Sequence, residues 1–450
     1  FMLQEVLRKI KPTGEEEKEV KDFLRTLLQV SETISGYECV VCGSIGKLTW
    51  LRGDHDIDLF IMFPDVPRKE LEEKGLEFGK RVITEMGGKY VIKYAEHPYV
   101  HGTIGKYVVD VVPCYRLSKG QKIKSAVDRS PLHLEYIVEH ISEAQRDEAR
   151  LLKQFCKGIG VYGSDTRHRG FSGYICELLI LQYKDFHGVL KSARNWTLPK
   201  LISLDNISVD AKKHFPDQAL IIIDPVDAKR NAAANVSAEN LVKFIISARL
   251  FLEKPDRYFF FRKSRPVSSN EIKLLVERKT RFLAVTFSRP DVIDDILYPQ
   301  LRRSLNRLKA MLEDNDFPVL RSYEFANGNA MLFFELSAWH MPDVKKMTGP
   351  PLFSKKHSDE FLSKYKNAYL EENTWIAEKK REFLTPNDLL KNFLKKDLRY
   401  LKDNGIPENI AVAIRNSKIL GDNELWKIVK KNKEFSSFIR EKYFTNLNLY

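Results

Sequence analysis

The sequence predicts an α+β protein of several domains: a head with a mixed sheet and helices, a helical middle, an α/β body and a helical basic tail. Three observations predict it. At 450 residues the chain is too long for one compact core, so two to four domains are expected. Strand-length apolar runs alternate with amphipathic stretches up to about residue 120, and the pattern then turns helical to about residue 195. Strand-like runs return after residue 280, ahead of a last helical, Lys-rich stretch. The expected division is a head over 1–125, a central domain over 126–254, a body over 255–380 and a tail over 381–450.

Residues 2–30 read as helix. Within them "GEEEKEVKDFLRTLLQV" has apolar positions at helical spacing, with acids in the first turns where they suit the helix dipole. "YECVVCGS" reads as a strand, "IGKLTWLRG" as a turn or short helix, and "DIDLFIMF" as a strand. "RKELEEKGLEFGKRVIT" is an amphipathic helix, and "YVIKYAEHPYVHGTI" and "KYVVDVVPCY" are two further strands. "SEAQRDEARLLKQFCKGIG" and "GFSGYICELLILQY" open the helical middle, "ALIIID" is a short strand, and "SAENLVKFIISARLFLEK" is a helix that Ser237 is placed to cap. "PDRYFFFRKSRPVSSN", residues 255–270, is the linker candidate. Beyond it "RFLAVTF", "YPQLRRSLNRLKAMLED" and "VLRSYEFANGNAMLFFEL" give a strand, a helix and a hairpin around Asn-Gly. That β-α-β-β order occurs in RNA-recognition folds, although the aromatic-rich signature of true RNA-recognition motifs is missing. Residues 381–450 carry fourteen Lys and Arg against nine Asp and Glu, which makes the tail basic.

Composition narrows the class. A 43% apolar content is that of a folded chain and excludes disorder. The net charge of +13 suggests a polyanionic partner, nucleic acid above all, although charge alone fits a merely basic soluble protein as well. Five scattered cysteines suit reduced thiols and a cytoplasmic protein, and Cys39 and Cys42, inside an apolar run, read as strand packing. No apolar stretch approaches the roughly 20 residues a membrane helix needs, and no signal-peptide pattern opens the chain.

The chemistry lies in "VVCGSIGKLTWLRGDHDIDLFIMF", residues 40–63. Side chains alternate across a strand, so Asp56 and Asp58 share one face while Ile57 and Leu59 take the other. Two carboxylates so close repel unless a cation lies between them, and all-oxygen ligation suits Mg²⁺ completed by substrate phosphates. Asp110 stands in the apolar strand "YVVDVVP", where an unpaired charge is costly. If the two strands are neighbours, three carboxylates converge, the arrangement for two-metal phosphoryl or nucleotidyl transfer. Asp54, beside Gly53 in the turn, reads as structural. Gly43 lets the backbone come close to a phosphate, to which the Ser44 hydroxyl can donate. Gly-Ser, then Asp-apolar-Asp, then a later strand Asp resembles the nucleotidyltransferase superfamily typified by DNA polymerase β.

The resemblance sharpens over most of residues 3–355. "GSIGKLTWLRGDHDIDLFIMFP", "YAEHPYVHG", "VDVVPCY", "ARLLKQFCKGIGVYG", "RGFSGYICELLI" and "DPVDAKRNAAANVS" are similar to blocks of the archaeal-type (class I) tRNA CCA-adding enzymes. The resemblance implies addition of C, C and A to the tRNA 3′ end from CTP and ATP, without a nucleic-acid template. It implies Asp56, Asp58 and Asp110 as holders of two Mg²⁺ ions, and Ser44 and Lys47 at the triphosphate. It implies His133, Lys153 and Tyr162 at the triphosphate and ribose, Arg230 reading the base, and Glu96 and His97 near the primer end. From the residues alone each has a plainer reading: a solvated Lys153, turn packing for Tyr162, a helix-capping His133, and Arg230 paired with Asp224 or Asp227. Similarly, His97 and His101 could suggest a metal pair, which Pro98 between them disfavours. The alternatives to CCA addition are a poly(A) polymerase using ATP alone, an RNA-binding module on a decayed transferase head, and a small-molecule nucleotidyltransferase. A homodimer is left open.

Overall fold

A computed structural model describes residues 2–94, 96–118, 120–205, 210–262 and 264–445. It divides into two compact units, 1–263 and 264–450. The division falls inside the 255–270 segment, but the first part of that segment is not a free tether. Phe260 is fully buried and packs its ring on Phe155, Phe186 and Phe251.

The first unit opens with α1 (Met2–Ile10) and α2 (Gly14–Ser35). The single helix expected over 2–30 is broken at Pro12, which cannot continue one. Thr13 restarts it by accepting a hydrogen bond from the Glu16 N–H at 3.1 Å. There follow β1 (Cys39–Cys42), α3 (Gly43–Gly46), β2 (Asp56–Phe63), α4 (Arg68–Glu85), β3 (Lys89–Tyr94), β4 (Pro98–Ile104) and β5 (Tyr107–Tyr115). The sheet order is β1-β2-β5-β4-β3, mixed as expected: β2 and β5 run parallel and the other pairs antiparallel. The strand expected over 90–104 is a hairpin, because Pro98 starts a second strand that pairs back on the first.

The alternation of β2 sorts its two faces. Ile57, Leu59, Ile61 and Phe63 are buried against α2 and α4. The helix comes close because α4 carries glycines: a Cβ on Gly79 would lie 2.7 Å from the Val100 side chain. On the other face Phe60 and Met62 pack with Val112, Cys114 and Leu134. Asp56, Asp58 and Asp110 lie on that same face, where Asp56 is exposed and Asp58 and Asp110 part-exposed.

The rest of this unit is α5 (Arg129–His140), α6 (Glu143–Gly158), α7 (Gly173–Tyr183), α8 (Phe186–Ala193), β6 (Lys200–Ile202), α9 (Ala211–His214), β7 (Leu220–Asp224), β8 (Asp227–Asn231) and α10 (Ala238–Glu253). Ser142, Ser172 and Ser237 cap α6, α7 and α10. The helices share a core rich in phenylalanine, and β6-β7-β8 form a small sheet at its side.

The second unit contains α11 (Ser269–Glu277), β9 (Arg281–Ser288), α12 (Asp294–Asp314), β10 (Val319–Asn327), β11 (Asn329–Leu336), β12 (Val344–Pro351), α13 (Lys355–Lys364), β13 (Tyr369–Glu371), β14 (Thr374–Lys380), α14 (Pro386–Leu394), α15 (Leu398–Asp403), α16 (Glu408–Ile414), β15 (Lys418–Leu420), α17 (Asp422–Lys431) and α18 (Lys433–Arg440). Its main sheet, β10-β11-β9-β15, takes its last strand from within the tail, and β12-β14-β13 make a second sheet that the periodicity did not suggest. The β-α-β-β order is present, but it does not offer the open aromatic face of an RNA-recognition motif. Phe282, Phe325 and Phe333 are buried under Trp426, Phe435, Phe438 and Tyr443. The buried Glu335 seals that cover by accepting from the Tyr443 hydroxyl at 2.9 Å, the Arg278 guanidinium at 2.7 Å and the Thr280 hydroxyl at 2.8 Å. Among the described residues no helix is long and apolar enough to cross a membrane.

Candidate active site

The parallel register of β2 and β5 sets Asp58 directly opposite Asp110, with Asp56 one pleat further along. Directly opposed residues share a face, and neighbouring strands lie about 4.8 Å apart. Burial, then the charges of Asp110 and Asp56, push the Asp58 carboxyl up to about 6. Burial, then Asp54 and Asp110, also raise Asp56. Carboxylates that resist one another's ionisation form a site with an affinity for cations.

Gly43 explains itself here. Its φ is +64°, and a Cβ would stand 2.2 Å from the Asp58 carboxylate. The strand-to-helix turn therefore passes hard against Asp58, which only glycine allows. Ser44 is part-exposed in α3, and its carbonyl accepts from the Thr49 N–H at 2.9 Å.

Behind this turn lies a buried ionic group. Glu177, fully buried in α7, accepts from Lys47 at 2.9 Å, from Lys153 at 2.8 Å and from the Thr49 hydroxyl at 2.5 Å. Lys153, 1% exposed, is no solvated surface lysine, and it also donates to the Thr49 hydroxyl at 2.7 Å. Burial alone raises the Glu177 carboxyl, yet Lys153 and Lys47 outweigh it and hold the group at about 2. Two ammoniums against one carboxylate leave a positive excess beside the acidic face. Lys47 also lies 4.8 Å over the Tyr174 ring. Tyr162 belongs to the same neighbourhood: its hydroxyl and the Lys153 ammonium both abut Gly173, each about 3.3 Å or less from where a Cβ would stand.

A second hub is Asp224, fully buried at the end of β7. It accepts from His133 Nε2 at 2.9 Å, Arg230 Nη1 at 2.7 Å, the Tyr174 hydroxyl at 3.0 Å and the Val226 N–H at 3.1 Å. Burial keeps His133 below its ordinary range, hence neutral at pH 7, and its ring stacks on Tyr174 at 3.9 Å. Burial pushes Asp224 up, but His133, Val226 and Arg230 hold it down to about 2. His133, Tyr174, Arg230, Arg129 and Phe215 help line a cavity of about 500 Å³. Arg230 is thus paired with Asp224 and still faces open space.

Of the residues singled out in the sequence, the structure brings Gly43, Asp56, Asp58 and Asp110 together, gathers Lys47, Lys153 and Tyr162 around Thr49 and Gly173, and sets His133 and Arg230 on Asp224. Glu96 and His97 are placed differently. His97 is buried with Nδ1 3.0 Å from Glu72 of α4. The Glu96 carbonyl accepts from Arg68 at 2.7 Å and its carboxylate from the Ala126 N–H. Their described contacts are with α4 and residue 126, not with the acidic face. Glu177, Thr49 and Tyr174 were missed, and Asp224 was named only as a pairing partner for Arg230, a contact that the structure makes. Glu177 carried the same signal as Asp110, a lone carboxylate in an apolar run, "GYICELLILQY". The five cysteines are buried and free, so Cys39 and Cys42 are strand packing.

An oxygen-only donor set on an open sheet face, with a cradle that any Cβ would fill, fits a hard divalent cation. Among the described residues no three His, Cys, Asp and Glu side chains already stand as a cage. Such an ion takes its remaining ligands from phosphate and water.

Three family models match in series: a nucleotidyltransferase domain over 17–133, the second domain of tRNA nucleotidyltransferase over 147–261 and the C-terminal domain of CCA-adding enzyme over 278–421. The chain is 36% identical to a CCA-adding enzyme of Methanocaldococcus jannaschii, covering 96% of this chain and 98% of the relative. It is 38% identical to those of Archaeoglobus fulgidus, over 95% of both chains, and Methanothermobacter thermautotrophicus, over 91% of both. A solved cytoplasmic RNA terminal U-transferase, 18% identical, superposes with a TM-score of 0.46 over 58% of this chain and 98% of that one, too distant a likeness to add weight. With end-to-end identity of this order to the archaeal enzymes and a nucleotidyltransferase head matched in its own right, the chain belongs to the CCA-adding enzyme family of tRNA nucleotidyltransferases.

Proposed function

We propose that the chain adds C, C and A in turn to the 3′ end of tRNA from CTP and ATP, releasing pyrophosphate, with Mg²⁺ held by Asp56, Asp58 and Asp110. The observation that carries the reading is the in-register pair Asp58 and Asp110 beside a buried positive excess and a nucleoside-sized cavity. Residues 1–125 supply the chemistry, 126–254 the nucleotide pocket, and the remainder holds the tRNA, for which the net charge of +13 is suited.

Asp110 accepts the proton of the primer 3′ hydroxyl. The freed oxygen bonds to the α-phosphorus, the bond from that phosphorus to the bridging oxygen breaks, and pyrophosphate leaves. Divalent cations, when bound, lower the pKa of the hydroxyl and offset charge on the leaving phosphates. Ser44, Lys47 and Lys153 supply a donor and positive charge to the triphosphate, and Lys47 is the ammonium nearer the acidic face, since it already steadies Asp58. Tyr162 and neutral His133 shape the ribose side, and Arg230, fixed by Asp224, reads the base. Cytosine and adenine both present an exocyclic amine as donor, which uracil and guanine lack at that place, so a polar pocket without a free charge can select them.

The test is incubation of the protein with Mg²⁺, tRNA lacking its 3′ terminus and each labelled nucleoside triphosphate. Two C and then one A, with addition stopping there, is the expected result. Repeated addition of A from ATP alone would contradict it. In the same assay an Arg230→Ala protein should accept UTP; normal rejection of UTP would remove Arg230 from base reading.

A further inference from the structure

We propose that His101 is a positioning residue that holds the Asp110 carboxylate in its working orientation. The inference rests on the cation site proposed above. On the open face of the sheet, Asp58 of β2, Asp110 of β5 and His101 of β4 stand in one row across three adjacent strands, each directly opposite the next. The His101 imidazole meets Asp110 Oδ1 through Nδ1 at 2.5 Å. Both side chains are about a quarter exposed, so the contact is at the mouth of the site rather than in the core.

The row has a physical consequence. Two carboxylates opposed across neighbouring strands repel, and a strand aspartate relieves that by turning about its χ angles. With its proton on Nδ1, His101 donates to one oxygen of Asp110 from the side away from Asp58. That fixes the carboxylate and leaves Oδ2 as the oxygen for a cation shared with Asp58, or for the hydroxyl proton. Groups that hydrogen-bond a ligating carboxylate in this way typically change metal affinity or activity roughly 10- to 100-fold. The opposite neighbour of His101 on β3 is Val91, which can neither donate nor accept, so the imidazole's described partner is Asp110. This separates His101 from His97 in the same hairpin, which is buried on α4.

The test uses the full-length protein with Mn²⁺ as probe. Wild type, His101→Ala and His101→Asn are titrated with Mn²⁺ in the absence of nucleotide, with free ion followed by electron paramagnetic resonance. Steady-state CTP addition and melting temperatures are measured alongside. Expected is a roughly 10- to 100-fold weaker Mn²⁺ affinity in His101→Ala, with kcat lowered by a similar factor and KM for CTP within about twofold of wild type. His101→Asn, whose amide N–H sits near the place of Nδ1, should recover most of both. Wild-type affinity and kcat in a folded His101→Ala protein would overturn the proposal. So would an Asn variant no better than Ala, since the donor would then be irrelevant. Failure of the wild type itself to bind Mn²⁺ would overturn the cation site, and with it this role.

Discussion

An Asp58→Asn protein is expected to add nucleotides roughly 10³-fold more slowly than wild type, or worse, while melting at the same temperature or higher. Asp58 lies beside both other acids, with Asp56 two residues away on the same face and Asp110 directly opposite. Losing its charge removes an anionic ligand that the proposed ions would share. Charge stabilisation of this kind contributes several kcal/mol to the transition state, and each ~1.4 kcal/mol is tenfold in rate. The amide has the same shape as the carboxylate, so the close pass of Gly43 is undisturbed. It also removes one of three mutually repelling charges, which is why stability should not fall. Chain-end addition to tRNA and a thermal melt, on the same preparation, check the two halves. A mutant that melted early would make the slow rate uninformative, and full-speed addition would exclude Asp58 from the chemistry.

The second large effect is on stability. Glu177→Gln leaves the Lys47 and Lys153 ammoniums buried against a neutral amide. Breaking one side of a buried ion pair costs roughly 3–5 kcal/mol, so the first unit should melt on the order of 10 °C lower. The pH dependence has a definite sign. The folded carboxyl at about 2 lies below an unfolded value of about 4.3, so its stabilisation is fully present above about pH 4.5. It fades as pH falls from there toward 2. Denaturant unfolding of wild type and Glu177→Gln should therefore show a wide gap at pH 7 that narrows at pH 3. An equal gap at both values, or none at pH 7, would show that the lysines do not depend on Glu177.

The acidic face was legible because a charge inside an apolar strand has to be accounted for. Period-two alternation put Asp56 and Asp58 on one side of β2, and "YVVDVVP" flagged Asp110. That the two strands run side by side and parallel was not legible, since their pairing is made across some fifty residues of intervening chain. The link between His101 and Asp110 stayed hidden for the same reason. A histidine in a hairpin strand breaks no pattern, and only the register places it on Asp110. Lys153, Tyr162, His133 and Arg230 each had an ordinary reading, and family resemblance, not spacing, singled them out. Glu177 and Asp224 could have been found by the rule that found Asp110. The stretch 90–104 reads as one strand from its β-forming residues, whereas Pro98 opens a return strand that pairs back on the first. In the second unit the β-α-β-β order was legible, but the cover over its aromatic residues was not, because Trp426, Phe435 and Tyr443 lie about a hundred residues further along.

Asp58 and Asp110 are proposed to hold jointly the cation for nucleotidyl transfer. Anomalous diffraction from crystals grown with Mn²⁺ and a non-hydrolysable CTP analogue tests it most directly. A manganese peak within bonding distance of both carboxylates and of the analogue's phosphates is the expected result. Manganese bound to the phosphates alone, with Asp58 and Asp110 left bare, would contradict it.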